Sequence, residues 1–208
     1  MLEPPRFKPG QFLVLRLNNE PALTRSLSIS SSPTDTGFLE VTKRITASDF
    51  SRTLNQLMVG ATVNVRFPLG DFTFTGEHPR VAFLCGGIGI TPCISMLRHA
   101  SETSIASEMV LFFSNRNSSE VVFKPELDQL AEKNDRIRVI YTLSQEKAAG
   151  THFGRIDADL IRTHLPDFQS YHFYICGAPA MVSGLSELLL QKLELAEEQL
   201  HIENFEGY

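Results

Sequence analysis

The eight residues Cys85-Gly86-Gly87-Ile88-Gly89-Ile90-Thr91-Pro92 constrain the fold of this chain more than any other stretch. An apolar run, residues 81–84, feeds directly into three glycines and then into a helix start. Pro92 marks that start, since proline loses no hydrogen bond in a first helical turn. The order strand, glycine turn, helix suits a phosphate. Glycines remove the side chains that would obstruct a close approach, and the helix offers unpaired N–H groups at the positive end of its dipole. The spacing is not the G-x-G-x-x-G of the common dinucleotide fingerprint, so a plain structural turn is the competing reading.

The texture around this stretch predicts two domains. After residue 81, apolar runs at 81–85, 109–114, 136–143 and 171–176 alternate with longer helical patterns, the signature of a parallel sheet wrapped by helices. Ile94, Leu97 and Arg98 fall on one face of the helix that begins near Thr91, and Leu185, Leu188, Leu189 and Lys192 on one face of 181–193, both expected to dock on the sheet. Residues 1–75 read differently. Short runs at 12–17, 38–41 and 61–67, separated by Pro, Gly, Ser and Asn, predict a small antiparallel barrel, with one brief helix at 51–58 behind a serine cap. The polar stretch 76–80, which contains Pro79, is the expected boundary between domains 1–75 and 81–208, and 208 residues suffice for two cores.

Charge and cysteine usage exclude several functions. A net charge of −5 with no lysine or arginine cluster argues against nucleic acid as a partner. No apolar stretch approaches the roughly 20 residues that span a bilayer, and residues 1–5 lack the basic and apolar regions of a signal peptide. The chain is therefore expected to be cytoplasmic, without a membrane span. Cys85, Cys93 and Cys176 are an odd set without a C-x-x-C pair, too few for an iron–sulfur cluster and unlike a disulfide framework. Cys93 is expected to be a buried small hydrophobe. No histidine pair has the i, i+4 spacing of a helical metal site, so no metal site is expected.

A second motif, Arg25-Ser26-Leu27-Ser28, places an arginine beside hydroxyls, and a guanidinium fork can hold two phosphate oxygens at once. Alone it reads equally as a polar strand edge. With Lys8-Pro9-Gly10-Gln11-Phe12, Pro68-Leu69-Gly70-Asp71-Phe72, the glycine turn, Cys176-Gly177-Ala178-Pro179-Ala180-Met181 and Glu203-Asn204-Phe205, it forms an ordered set. In that order the chain resembles the ferredoxin–NADP reductase superfamily, a flavin-binding barrel followed by a nicotinamide-nucleotide domain.

The resemblance implies FAD and NAD(P)H as cofactors and a role for each motif. Arg25, with Ser26, would hold the flavin diphosphate, Ser51 would support it, and Ser28 would bond near the hydride-accepting ring nitrogen. Leu27 stands where the family usually stacks a tyrosine on the flavin. Gly86, Gly87, Gly89 and Thr91 would face the nucleotide diphosphate, and Cys176 and Gly177 the nicotinamide. Glu203 would lie near the reaction centre and Phe205 would cover the flavin. Ser144 would hold the adenosine ribose, where Gln145 replaces the arginine of NADP-preferring members and Glu146 adds a negative charge. These favour NADH, with Arg116 as the residue able to reverse that preference. The family's first barrel strand precedes the Pro-Gly-Gln turn, and with nine residues ahead of Gly10 it is expected to be missing or shortened.

Two functions compete at this point. One is a flavoenzyme that moves a hydride from NAD(P)H to FAD and then electrons to a separate acceptor, a ferredoxin, flavodoxin, oxygenase component or small molecule. The other is a non-catalytic binding or regulatory subunit that keeps the reductase fold, suggested by Leu27 and the short N-terminus.

Overall fold

A computed structural model describes residues 6–205. Residues 1–5, read above for signal-peptide character, and residues 206–208 of the second expected domain lie outside them.

Strict alternation builds the first sheet. In β1 (Phe12–Arg16) Leu13 and Leu15 turn inward while their neighbours face outward. It pairs antiparallel with β2 (Thr24–Ser28) on one side and β3 (Asn64–Leu69) on the other. Leu13, Leu15, Leu17, Leu23, Leu27 and Ile29 close over Phe50 of α1 (Asp49–Asn55). The helix begins earlier than 51 because Ser48, not a residue inside the run, accepts the Ser51 N–H as the cap. Two expected strands differ as well. Residues 38–41 make the bridge Ile29–Val41 and accept the Ser30 N–H at Glu40 O, but the Glu40 N–H goes to Ser31 Oγ rather than to a ladder carbonyl. The run 61–67 becomes a strand only from Asn64, because Ala61 N–H closes a turn on Met58 O. Among the described residues the first strand is β1; Arg6–Gln11 hold none.

The second sheet is parallel throughout. Its strands are β4 (Arg80–Gly86), β5 (Glu108–Asn115), β6 (Ile137–Leu143), β7 (His152–Phe153), β8 (His172–Gly177) and β9 (Leu200–Asn204), in the order β7-β6-β5-β4-β8-β9. The four expected runs all appear, and β7 and β9 extend the edges. Strands covered on both faces need near-continuous apolar sequence, which Val81, Ala82, Phe83, Leu84 and Cys85, all fully buried, supply. On one face α2 (Ile90–Glu102) and α3 (Lys124–Lys133) pack through Ile94, Leu97 and Leu127; on the other α4 (Ala158–His164) and α5 (Pro179–Glu187) pack through Leu160 and Leu185, with Leu189 just beyond α5. The 181–193 pattern is therefore helical but divided, with α5 passing into a wider turn at Leu188–Lys192.

The two sheets are tied across α2. Ser95 Oγ donates to Ser31 O at 2.7 Å, and Arg98 joins Ser30 O and Glu40 of the first unit to Glu126 of α3. Phe72 and Phe74, which follow β3, enter the core of the second sheet edge-on to Tyr174 and Phe83. Among the described residues no helix is long and apolar enough to cross a membrane.

Candidate functional site

In the second sheet the chain runs outward from β4 through β5, β6 and β7, then returns to place β8 on the other side. The crevice between β4 and β8, at the carboxyl ends of the strands, is thus a switch point where open parallel sheets receive ligands. The glycine turn lies there as a tight turn, Gly87–Gly89, leading into α2. Gly87 has φ +52°, and a Cβ on Gly89 would meet Cys176 O at 2.6 Å and Gly177 Cα at 2.8 Å. Only a glycine at 89 lets the turn lie against β8. Thr91 is buried and its hydroxyl donates to Ile88 O at 3.1 Å, so it braces the turn from inside.

A cavity of about 830 Å³ opens over this turn, a size suited to a cofactor. Gly86, Gly87 and Gly89 form its floor, Ser114, Asn115 and Ser144 its wall at the ends of β5 and β6, and Met181 and Phe205 the opposite wall. Three guanidinium groups line it: Arg44 from the first unit, Arg116 and Arg155 from the second. Arg44 pairs with Glu120 across the opening at 3.2 Å. Asn115 is buried with neither amide atom hydrogen-bonded, a costly state that a bound polar ligand would relieve. Ser144 N–H donates to Asn115 O and Gln145 N–H to Arg116 O, which gathers the proposed ribose-binding residues at one end. Glu146 is turned toward Ser118, accepting from its N–H at 2.7 Å and from its hydroxyl at 3.0 Å.

The first unit offers a second candidate anion site. Arg25 Nη1 donates to Thr24 O at 2.7 Å, and its guanidinium stands over the Phe50 ring at 5.5 Å. Lys43 approaches the same ring at 6.0 Å. Burial lowers the Lys43 ammonium pKa, and the charge of Arg25 lowers it further. Ser51 is buried beside them and bonds Thr46 and Ser48 at 3.1 Å. Thr46 also lines the cavity, which makes the two sites contiguous. Ser28 is half-buried and Ser26 exposed on β2, while Leu27 packs into the core of the first sheet rather than outward.

Cys176 and Glu203 are neighbours in register at the ends of β8 and β9. The Cys176 thiol is fully buried, donates to Gly89 O at 3.0 Å and lies 3.1 Å from Cys93 Sγ. Cys85 is its partner across β4. The three cysteines, an odd set without a C-x-x-C pair, thus meet in one dry cluster, and burial pushes Cys85 and Cys176 well above the ordinary thiol pKa. Cys176 contributes by fixing the Gly89 carbonyl, since it is not among the cavity-lining side chains. Burial also raises the Glu203 carboxyl. Phe205 N–H donates to Gly177 O at 2.9 Å, which holds the ring at the cavity mouth.

The residues present fit a flavin dinucleotide at Arg25 and Lys43 and a nicotinamide dinucleotide over the glycine turn. Sequence reading missed Lys43, Arg44, Arg155 and Asn115. The adjacent pair Lys43-Arg44 was the available signal, whereas Arg155 and Asn115 carry none outside the fold.

Comparison with known proteins supports an FAD-binding and an NAD-binding domain. A family model described as an oxidoreductase FAD-binding domain matches residues 4–74, and one described as an oxidoreductase NAD-binding domain matches residues 83–187. The chain is similar to NADH-cytochrome b5 reductase 1 of Mortierella alpina, 30% identical over 86% of this chain and 62% of the relative. It is also similar to the ferredoxin–NAD(P)(+) reductase component of the naphthalene 1,2-dioxygenase/salicylate 5-hydroxylase systems of a Ralstonia species, 28% identical over 99% of this chain and 62% of that protein. The chain thus spans less than two thirds of the length of both. The cytochrome b5 reductase domain of Ulva prolifera nitrate reductase shares the fold, with a TM-score of 0.84 at 22% identity over 95% of this chain and 85% of that one.

Proposed function

Since the chain belongs to the ferredoxin–NADP reductase superfamily, with an FAD-binding and an NAD-binding domain, we propose that it takes a hydride from NAD(P)H to FAD and passes electrons to a separate acceptor protein. The observation that carries this reading is the contiguity of the two anion sites through Thr46, which would bring the two cofactors to one interface. Bound FAD would supply the hydride acceptor and then release electrons singly. Arg25 and Lys43 bind its diphosphate, and Ser28 serves as the donor toward the ring. Gly86, Gly87 and Gly89 admit the nucleotide backbone, with Arg44 beside it. Cys176 positions the turn through Gly89 O, and Phe205 excludes water from the place where the rings would meet. Glu203 holds a carboxyl beside that place. Such alignment accelerates transfer by holding reacting atoms about 3–3.5 Å apart.

We read the preferred nucleotide as NADH. Ser144 and Gln145 suit an unphosphorylated ribose, and Glu146 keeps a negative charge near that end. A ferredoxin-like or oxygenase component is the acceptor class that the Ralstonia relative's name suggests. The test is anaerobic: the chain is reconstituted with FAD, then NADH or NADPH is added while the flavin absorbance is followed. Bleaching that is faster with NADH supports the proposal. Bound FAD that neither nucleotide reduces would favour the non-catalytic reading, and a preference for NADPH that vanishes in Arg116→Ala or Arg155→Ala would overturn the NADH assignment.

A further inference from the structure

Spacing along the chain scatters the six histidines, yet the fold brings three of them together. His78 stands in the segment between the two sheets, His172 opens β8, and His201 is the second residue of β9. One nitrogen of each lies within 4.8 Å of the others. His172 Nδ1 and His201 Nε2 are 3.3 Å apart, the His78 ring stacks on His172 with centroids 3.5 Å apart, and the His201 ring stacks on Tyr174 at 4.3 Å. The Tyr174 hydroxyl donates to Glu77 Oε1 at 3.3 Å, and Glu77 Oε2 accepts from Thr75. All three histidines are half-buried, so an ion can enter from solvent.

Three adjacent imidazoles would repel one another if protonated. Unprotonated nitrogens are the ligand form of histidine.

We propose that His78, His172 and His201 form a site for a divalent transition-metal ion, best matched by zinc, with a water as fourth ligand. Three imidazoles and one oxygen are a donor set that zinc accepts. With Zn–N bonds of about 2.0–2.1 Å, adjacent nitrogens of a tetrahedral site lie about 3.3–3.4 Å apart, the spacing that His172 and His201 already have. Coordination by all three requires the His78 ring, whose nitrogen already lies within 4.8 Å of the other two, to turn out of its stack on His172. The competing account is an N–H···N bond between His172 and His201 with no ion.

The location assigns the ion a structural task. Val81 pairs with His172 and Tyr174 with His201, so the site lies at the amino ends of the strands, opposite the glycine turn. Four residues along β8 put His172 about 13 Å from Cys176, too far for the ion to touch either ring system. It would instead fasten the connection between the two sheets to the two strands whose far ends carry Gly177 and Glu203.

The test uses the full chain, stripped with EDTA and titrated with zinc or cobalt chloride. One equivalent should bind, cobalt should show the intense visible bands of a four-coordinate site, zinc should abolish them, and the melting midpoint should rise with zinc. His201→Gln and His78→Gln should each weaken zinc binding at least about tenfold with an unchanged far-ultraviolet spectrum. Because a variant can misfold, ring-nitrogen NMR of the parent gives an independent answer: zinc should shift three histidines and leave His99, His152 and His164 in place. Absence of one-equivalent binding, retention of full affinity in both folded variants, or shifts at the other three histidines would overturn the proposal.

Discussion

Arg98→Met would separate the two sheets without emptying the space between them. The Arg98 side chain is only 14% exposed. Nε and Nη2 hold both oxygens of Glu126 at 2.6 and 2.9 Å, while Nη1 reaches Glu40 Oε1 at 2.8 Å and Ser30 O at 2.6 Å. Methionine keeps most of the apolar stem and removes all four bonds. Deleting one partner of a fully buried pair costs about 3–5 kcal/mol. Glu126 and Glu40 retain 36% and 38% exposure, so water recovers part of this and about 2–3 kcal/mol remains. Loss of the donor to Ser30 O adds about 1 kcal/mol. A total of about 3–4 kcal/mol corresponds to a fall of about 6–16 °C in the melting midpoint for a chain of this size.

The loss should depend on pH. Burial raises the Glu40 carboxyl, but hydrogen bonds from Arg98 and Ser30 outweigh it and hold the pKa below its ordinary 4.5. A depressed folded pKa contributes stability above the unfolded value and loses it as pH falls through the folded one. The difference between parent and variant should therefore be full at neutral pH and shrink below about pH 4.5. Thermal scans at both pH values measure this, and stopped-flow reduction of bound FAD measures alignment, where a misplacement of about 1 Å costs roughly 10²-fold. An unmoved midpoint together with an unchanged reduction rate would refute the reasoning.

Asn115→Leu should stabilise the free protein by about 1–3 kcal/mol, since it removes a buried unpaired amide, and should weaken nucleotide binding about tenfold; urea unfolding and calorimetric titration report the two effects. Gly89→Ala should cost about 1–3 kcal/mol by pushing the turn off Cys176 O, with nucleotide affinity lost and FAD affinity kept, as read by flavin fluorescence. Cys176→Ala should slow flavin reduction about fivefold, the equivalent of about 1 kcal/mol for one lost bond, with FAD binding unchanged in the same stopped-flow assay. For Glu203 the folded pKa is raised by burial, so the ionised form carries a penalty that sets in as pH rises from the unfolded value through the folded one. Glu203→Gln should accordingly raise the melting midpoint at neutral pH and leave it unchanged below the usual carboxylate range.

The parallel sheet was legible in the sequence because two signals coincide there: apolar runs such as 81–85 that must be buried on both faces, and a glycine turn between a strand and a helix start. The antiparallel sheet was less so. Its strands are short, and at 38–41 a serine hydroxyl, that of Ser31, takes the Glu40 N–H that a strand ladder would use, a choice no alternation pattern records. Helical periodicity put Arg98 on the docking face of α2 beside Leu97, but a period names a face and not the neighbour it meets. The same limit hid the convergence of Arg44, Arg116 and Arg155, and of the three cysteines, each set supplied by separate elements. Leu27 shows the reverse case: its place in the motif suggests an outward ring contact, and its apolar side chain instead completes the core around Phe50.

The position of β4 between β5 and β8 also fixes the sequence of events as the chain leaves the ribosome. The first sheet and its tie through Arg98 have all their residues once Glu126 has emerged, but the strand that covers the other edge of β4 ends only at Gly177. At about 5–20 residues per second, synthesis leaves an interval of about 3–10 s between the two. During it, the β4 edge that β8 will occupy presents unpaired backbone groups on an apolar strand, the template on which another nascent copy can pair. That interval, more than the finished fold, is when this chain is most exposed to misassembly.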